Sequence, residues 1–141
     1  MKAFTTYLNF DGTCREAMTF YGKCLGAELH LQKYSEVPGC SGAIKEMDRV
    51  VHARITRGSE PILMASDTMP GMPLQQGNNF AVSIECESNE EVDTLFAALG
   101  ESGKVNMPVQ DMFWGARFGM LTDQFGIQWM FNFQHTPLHM G

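Results

Sequence analysis

Cysteine is scarce in this chain, and what there is stands in no useful pattern. Cys14, Cys24, Cys40 and Cys86 contain no C-x-x-C pair among 141 residues, which excludes a zinc knuckle and a thioredoxin-like motif and is too sparse for a disulfide framework. Basic residues are also few: 10 against 16 acidic ones, a net charge of −6 and a pI of about 5.1. Holding a nucleic-acid backbone needs a concentrated basic face, so that class of partner is excluded. No unbroken apolar run reaches bilayer length. Residues 124–141 are uncharged, but Gln124, Gln128, Asn132 and Gln134 interrupt them at regular intervals. The opening MKAFTTYLNF has no apolar h-region, so no signal peptide is expected and a cytoplasmic protein is the reading. Glycine-rich phosphate loops are missing too. No G-x-G-x-x-G occurs, and around Gly100-Glu-Ser-Gly103-Lys104 a P-loop would need glycine where Ala98 stands and serine or threonine where Val105 stands.

What is present is a repeat. Residues 2–10 alternate as a strand; Thr13 with Glu16 reads as a capping box for a helix that Gly26 stops. Strands follow at about 27–34, 49–56 and 61–67, the first leaving through a loop at Pro38-Gly39. The Pro-, Gly- and amide-rich stretch 68–79 reads as a linker, and the pattern then restarts. A strand at 80–87 precedes a helix capped by Ser88, with Val92, Leu95, Phe96 and Leu99 as its apolar stripe. Strands at 105–110, 115–122 and 127–134 complete the second half. The order is βαβββ twice, a duplication of roughly 65–75 residues per unit. It gives an α+β fold of two tandem βαβββ modules forming a curved mixed sheet around a cleft. The modules fall at 1–67 and 80–134 of a single domain, with a tail at 135–141. Residues 52–55 (HARI) answer 115–118 (GARF), and 63–66 (LMAS) answer 129–132 (WMFN).

Strand alternation separates an apolar face from a polar one. Val51, Ala53 and Ile55 oppose His52, Arg54 and Thr56; Trp129 and Phe131 oppose Met130 and Asn132; Leu8 and Phe10 oppose Tyr7 and Asn9. The polar set suits the wall of a ligand cavity. The repeat aligns Arg54 with Arg117, and two guanidinium groups on one face point to an anionic small molecule held through paired N–H donors. The expected ligand-binding residues are Tyr7, His52, Arg54, Ser66, Trp114, Arg117 and Asn132, with His52 the candidate general base. Each has a plainer alternative: a hydrogen-bonded structural histidine, arginines paired with Glu85, Asp67 or Asp123, amides and hydroxyls serving strand ends. Met64, Met69, Met72, Pro70 and Pro73 suit either a lid or a tether, and Cys40 an exposed loop. His135 and His139 have metal-like spacing, but a frayed terminus explains them better.

The segments YLNFDGTCREAMTFYGKCLGA (7–27), NEEVDTLFAAL (89–99) and FWGARFGMLTDQFGIQWMFN (113–132) resemble the PhnB-like branch of the vicinal oxygen chelate superfamily. That superfamily includes glyoxalase I, extradiol dioxygenases and bleomycin-resistance proteins; the branch is also labelled 3-demethylubiquinone-9 3-methyltransferase-like. The resemblance implies the fold above, frequent homodimers, and in its metal enzymes a divalent ion held by His or Glu on the first and last strands of each module. At the corresponding places stand Thr6 or Tyr7, Phe80 or Ala81, Met64 and Met130. None is a hard-metal ligand. The expectation is therefore a homodimeric binder of a small anionic molecule with no cofactor, metal, nucleic acid or membrane. The alternative is a lyase, isomerase or dioxygenase with a non-standard metal site built from His52 and Glu85 or Asp67.

Overall fold

The computed structural model describes residues 1–36, 49–69 and 71–135; the Pro38-Gly39 loop, Cys40, Pro70 and His139 lie outside them. Two compact units divide the chain, Met1–Gln75 and Gln76–Gly141.

The first unit runs β1 (Tyr7–Phe10), α1 (Cys14–Leu25), β2 (Glu28–Lys33), a 3₁₀ turn (Tyr34–Glu36), β3 (Val50–Arg57) and β4 (Glu60–Asp67). Its strands lie in the order β1-β4-β3-β2, with β1 parallel to β4 and the other neighbours antiparallel. Strand β1 is shorter than the alternation at 2–10 suggests. It pairs with β4 over Tyr7–Phe10, with the Thr6 carbonyl accepting from the Met64 N–H just before it, and residues 1–6 are all exposed, so no buried face holds them extended.

Helix α1 buries Cys14, Ala17, Met18, Tyr21 and Gly22, one stripe at helical spacing, against β2, β3 and β4. Gly26 ends it with φ +61°, a left-handed conformation for which glycine has no Cβ penalty. The expected capping box at Thr13 does not form: the Thr13 side chain makes no capping bond. Asp67, from the end of β4, takes its place and accepts from the N–H groups of Gly12 (2.8 Å) and Cys14 (3.0 Å). A fully buried carboxylate forms stronger bonds there than a hydroxyl on an exposed residue.

The second unit repeats the plan: β5 (Val82–Glu85), α2 (Asn89–Leu99), β6 (Lys104–Met112), β7 (Ala116–Thr122) and β8 (Gln128–Gln134), in the order β5-β8-β7-β6. Ser88 caps α2 as expected, its Oγ accepting from the Glu91 N–H at 3.0 Å, while the Glu91 carboxylate accepts from the Glu87 N–H. Val92, Leu99, Leu121, Trp129 and Phe131 form the core. Phe96 meets Phe131 edge-on at 5.5 Å and lies over Gly119, where a Cβ would come within 3.0 Å of its ring. Each unit is thus a four-stranded mixed sheet with one helix on one face, and the molecule is an α+β fold of two βαβββ modules. Among the described residues no helix is long and apolar enough to cross a membrane.

Candidate functional site

Side chains directly across a strand pair share a face, so the register lays out what each sheet presents opposite its helix. In the first sheet one row reads Tyr7, Met64, Arg54, His30 across β1, β4, β3 and β2. The neighbouring row contains Asn9 paired with Ser66 and His52 paired with Gln32. The Tyr7 hydroxyl lies 3.3 Å from His52 Nδ1, and the two rings stack with centroids 5.9 Å apart. His30 Nε2 lies 3.5 Å from Thr56 Oγ1 and 3.6 Å from Glu28 Oε1. Arg54, beside them, is exposed, and its guanidinium has no hydrogen bond or ion pair among the described residues. The structure thus brings Tyr7, His52, Arg54 and Ser66 onto one face.

The second sheet presents different chemistry. Ser83, Met130, Met120 and Met107 form one row, and Glu85, Asn132, Phe118 and Gln110 the next. Asn132 Nδ2 donates to Glu85 Oε2 at 2.9 Å. Trp114, in the β6–β7 turn, sets its ring edge-on to Phe118 at 6.5 Å, and its carbonyl accepts from the Gln134 amide.

These registers correct the expected repeat alignment. Arg54 lies across from Met64 and Met120 across from Met130, so the partner of Arg54 in the second module is Met120, not Arg117. His52 corresponds in the same way to Phe118. The alignment of HARI with GARF was three residues out, and an odd slip moves a side chain to the other face of a sheet. Arg117 accordingly sits on the α2 side. Its Nε and Nη2 donate to the two Asp93 carboxylate oxygens at 2.9 and 3.2 Å, and its Nη1 donates to Asp111 at 3.3 Å. The Asp93 hydrogen bonds, ahead of those to Asp111, raise the Arg117 pKa above its ordinary value.

The glyoxalase/bleomycin resistance protein/dioxygenase superfamily model matches residues 5–131. The chain belongs to that superfamily. Protein YjdN of Escherichia coli (strain K12) is 32% identical, with 89% of this chain and 91% of that protein covered. The solved structure of protein PA1353 from Pseudomonas aeruginosa is 38% identical with a TM-score of 0.84, covering 95% of this chain and 98% of that one. The PhnB protein from Bacillus cereus is 29% identical with a TM-score of 0.73, covering 94% and 99%.

The divalent ion that this glyoxalase-superfamily membership brings to mind does not fit the donors present. Tyr7 faces Met64, and the residue facing Met130 is Ser83, rather than Phe80 or Ala81, because β5 starts only at Val82. Phenol, hydroxyl and two thioethers are a poor set for Mg²⁺, Mn²⁺ or Zn²⁺. Asp67 gives no alternative. It is buried at 2% exposure, with Oδ1 on Gly12 and Cys14 and Oδ2 accepting from the Val50 N–H at 2.9 Å, and it pairs with Phe10 in the row beyond Ser66. An acid engaged by three backbone donors, one strand position from Ser66 and so on the other face from His52, does not ligate beside it. Among the described residues no three His, Cys, Asp or Glu side chains gather at one point.

Two features, one on each sheet, escape a reading of single strands. His30 joins the Arg54 row only through β2–β3 pairing, and Met107 and Met120 join Met130 only through β6–β7–β8 pairing. Polar alternation in ELHLQK (28–33) was the available signal for His30.

Proposed function

We propose that this glyoxalase-superfamily protein binds a small anionic molecule, a carboxylate or phosphate, on the open face of its first sheet and without a divalent metal. One observation carries the reading. Arg49 and Arg117 are neutralised by Asp11 and Asp93, whereas Arg15, Arg54 and Arg57 have no ion pair among the described residues, and of these Arg54 lies in a row with Tyr7 and His30, beside His52 and Ser66. In a chain of net charge −6, a guanidinium left unpaired among nitrogen and hydroxyl donors suits an anion supplied from solution. Tyr7 and His52, stacked and in hydrogen-bond reach, would orient the ligand; Met64 offers it an adaptable apolar contact. Strands β2 and β6 stand at the ends of their sheets, each with one edge unpaired among the described residues, which supports a homodimer that light scattering tests.

The binding experiment is a thermal-shift screen of small carboxylates and phosphates followed by calorimetry on the best of them. Charge-assisted hydrogen bonds are worth about 1.5–3 kcal/mol, so Arg54→Ala should weaken that ligand by roughly ten- to a hundredfold. Arg117→Ala should leave the affinity within about twofold, since its charge is already met by Asp93. Equal affinity in wild type and Arg54→Ala, or binding that requires added Mn²⁺ or Zn²⁺, would overturn the reading.

A further inference from the structure

Met107, Met120 and Met130 stand side by side on β6, β7 and β8, each directly across the ladder from the next. Residues so paired have Cβ atoms about 4.5–5.5 Å apart, and a methionine has three rotatable bonds beyond Cβ or leading to it, so three neighbouring sulfurs can turn towards a common point. All three are half-buried, within reach of solvent yet shielded from it. Met107 sits between two register shifts of β6, at Val105/Met107 and Met107/Gln110, and irregularities of that kind re-aim side chains. The row ends in Ser83, and next to it lie Phe118 and Glu85, the latter an exposed carboxylate.

Thioethers are soft, neutral donors. They select soft monovalent d¹⁰ cations over the hard divalent ions for which this fold's donor positions proved unsuitable. We propose that the open face of the second sheet binds Cu(I) through the thioethers of Met107, Met120 and Met130. The first sheet supplies an internal contrast: the equivalent row is Tyr7, Met64, Arg54 and His30, where the Arg54 charge repels a cation. The site thus follows from the second module alone and does not rest on the anion reading of the first.

Thiols compete for the same ion, so the test uses a parent chain carrying Cys24→Ser and Cys40→Ser. Cys14 and Cys86 are buried in the core. Ag(I), an air-stable stand-in for Cu(I), is titrated in halide-free buffer into protein labelled with ¹³C in the methionine methyl groups, each resonance assigned by a Met→Leu variant. The methyls of Met107, Met120 and Met130 should shift together and saturate at one equivalent. Cu(I) competed from bicinchoninate should then bind Met120→Leu at least tenfold more weakly than the parent, with the thermal midpoint of the metal-free variant little changed. Shifts confined to the exposed Met1, Met69 and Met72, or no loss of Cu(I) affinity in Met120→Leu and Met130→Leu, overturn the proposal.

Discussion

Asp67 joins three parts of the first module through one carboxylate. It holds the N-terminus of α1 at Gly12 and Cys14 and the start of β3 at Val50, and it is only 2% exposed. Asp67→Ala leaves buried N–H donors unmet, each costing about 1–3 kcal/mol, so a loss of roughly 3 kcal/mol or more is expected by urea unfolding monitored by circular dichroism. Its neighbour Cys14 carries a pH signature. Burial, reinforced by the Asp67 charge, pushes the Cys14 thiol up to about 12 from an ordinary value of 9.0. Below pH 9 the thiol is protonated in folded and unfolded chains alike and stability is indifferent to it. Between about 9 and about 12 only the unfolded chain ionises, so stability falls as pH rises, by about 1.4 kcal/mol per pH unit for one proton. Cys14→Ala should be less stable at neutral pH and show a shallower alkaline decline; equal slopes in the two proteins would rule this cause out.

At the scale of elements, the turn between β7 and β8 shows how one buried acid shapes a hairpin. Asp123 Oδ1 accepts from the N–H groups of Phe125 (2.8 Å) and Ile127 (3.1 Å), and Oδ2 accepts from the indole N–H of Trp129 at 2.7 Å. The sequence marks Asp123 as a turn former through the Gly126 that follows; the tie to Trp129 is a tertiary fact. Asp123→Ala should cost about 3 kcal/mol and shift the Trp129 emission, whereas Trp114 is exposed and indifferent to it. Helix α2 depends on Gly119 in a related way. A Cβ there would come within 2.8 Å of Val109 and 3.0 Å of Phe96, so Gly119→Val should destabilise the second unit by about 1–3 kcal/mol through overpacking, read as a lower thermal midpoint.

At the scale of the whole molecule, duplication has kept the scaffold and changed the chemistry. Both sheets share one strand order and one helix position, yet the row that is Tyr7, Met64, Arg54, His30 in the first module is Ser83, Met130, Met120, Met107 in the second. One face is left cationic and hydrogen-bonding, the other thioether-rich with Phe118 beside it. Superfamily membership over residues 5–131 accounts for the scaffold, and the side chains of each face set its own chemistry.

Read alone, the sequence determined the element order, the ends of α1 and α2, the two-module plan and most of the polar face, because these rest on local causes: side-chain periodicity, glycine stops and the Ser88 cap. Tyr7, His52 and Arg54 were legible as polar-face residues for that reason, since alternation along their strands already assigned their side of the sheet. Tertiary structure alone decided the rest. Asp67 displaced Thr13 as the cap of α1 from 53 residues away, Arg117 went to the helix side with Asp93, and three methionines met in one row. Each of these depends on pairing register. A sequence comparison tolerates a slip of three residues, but a pleated sheet turns that slip into the opposite face.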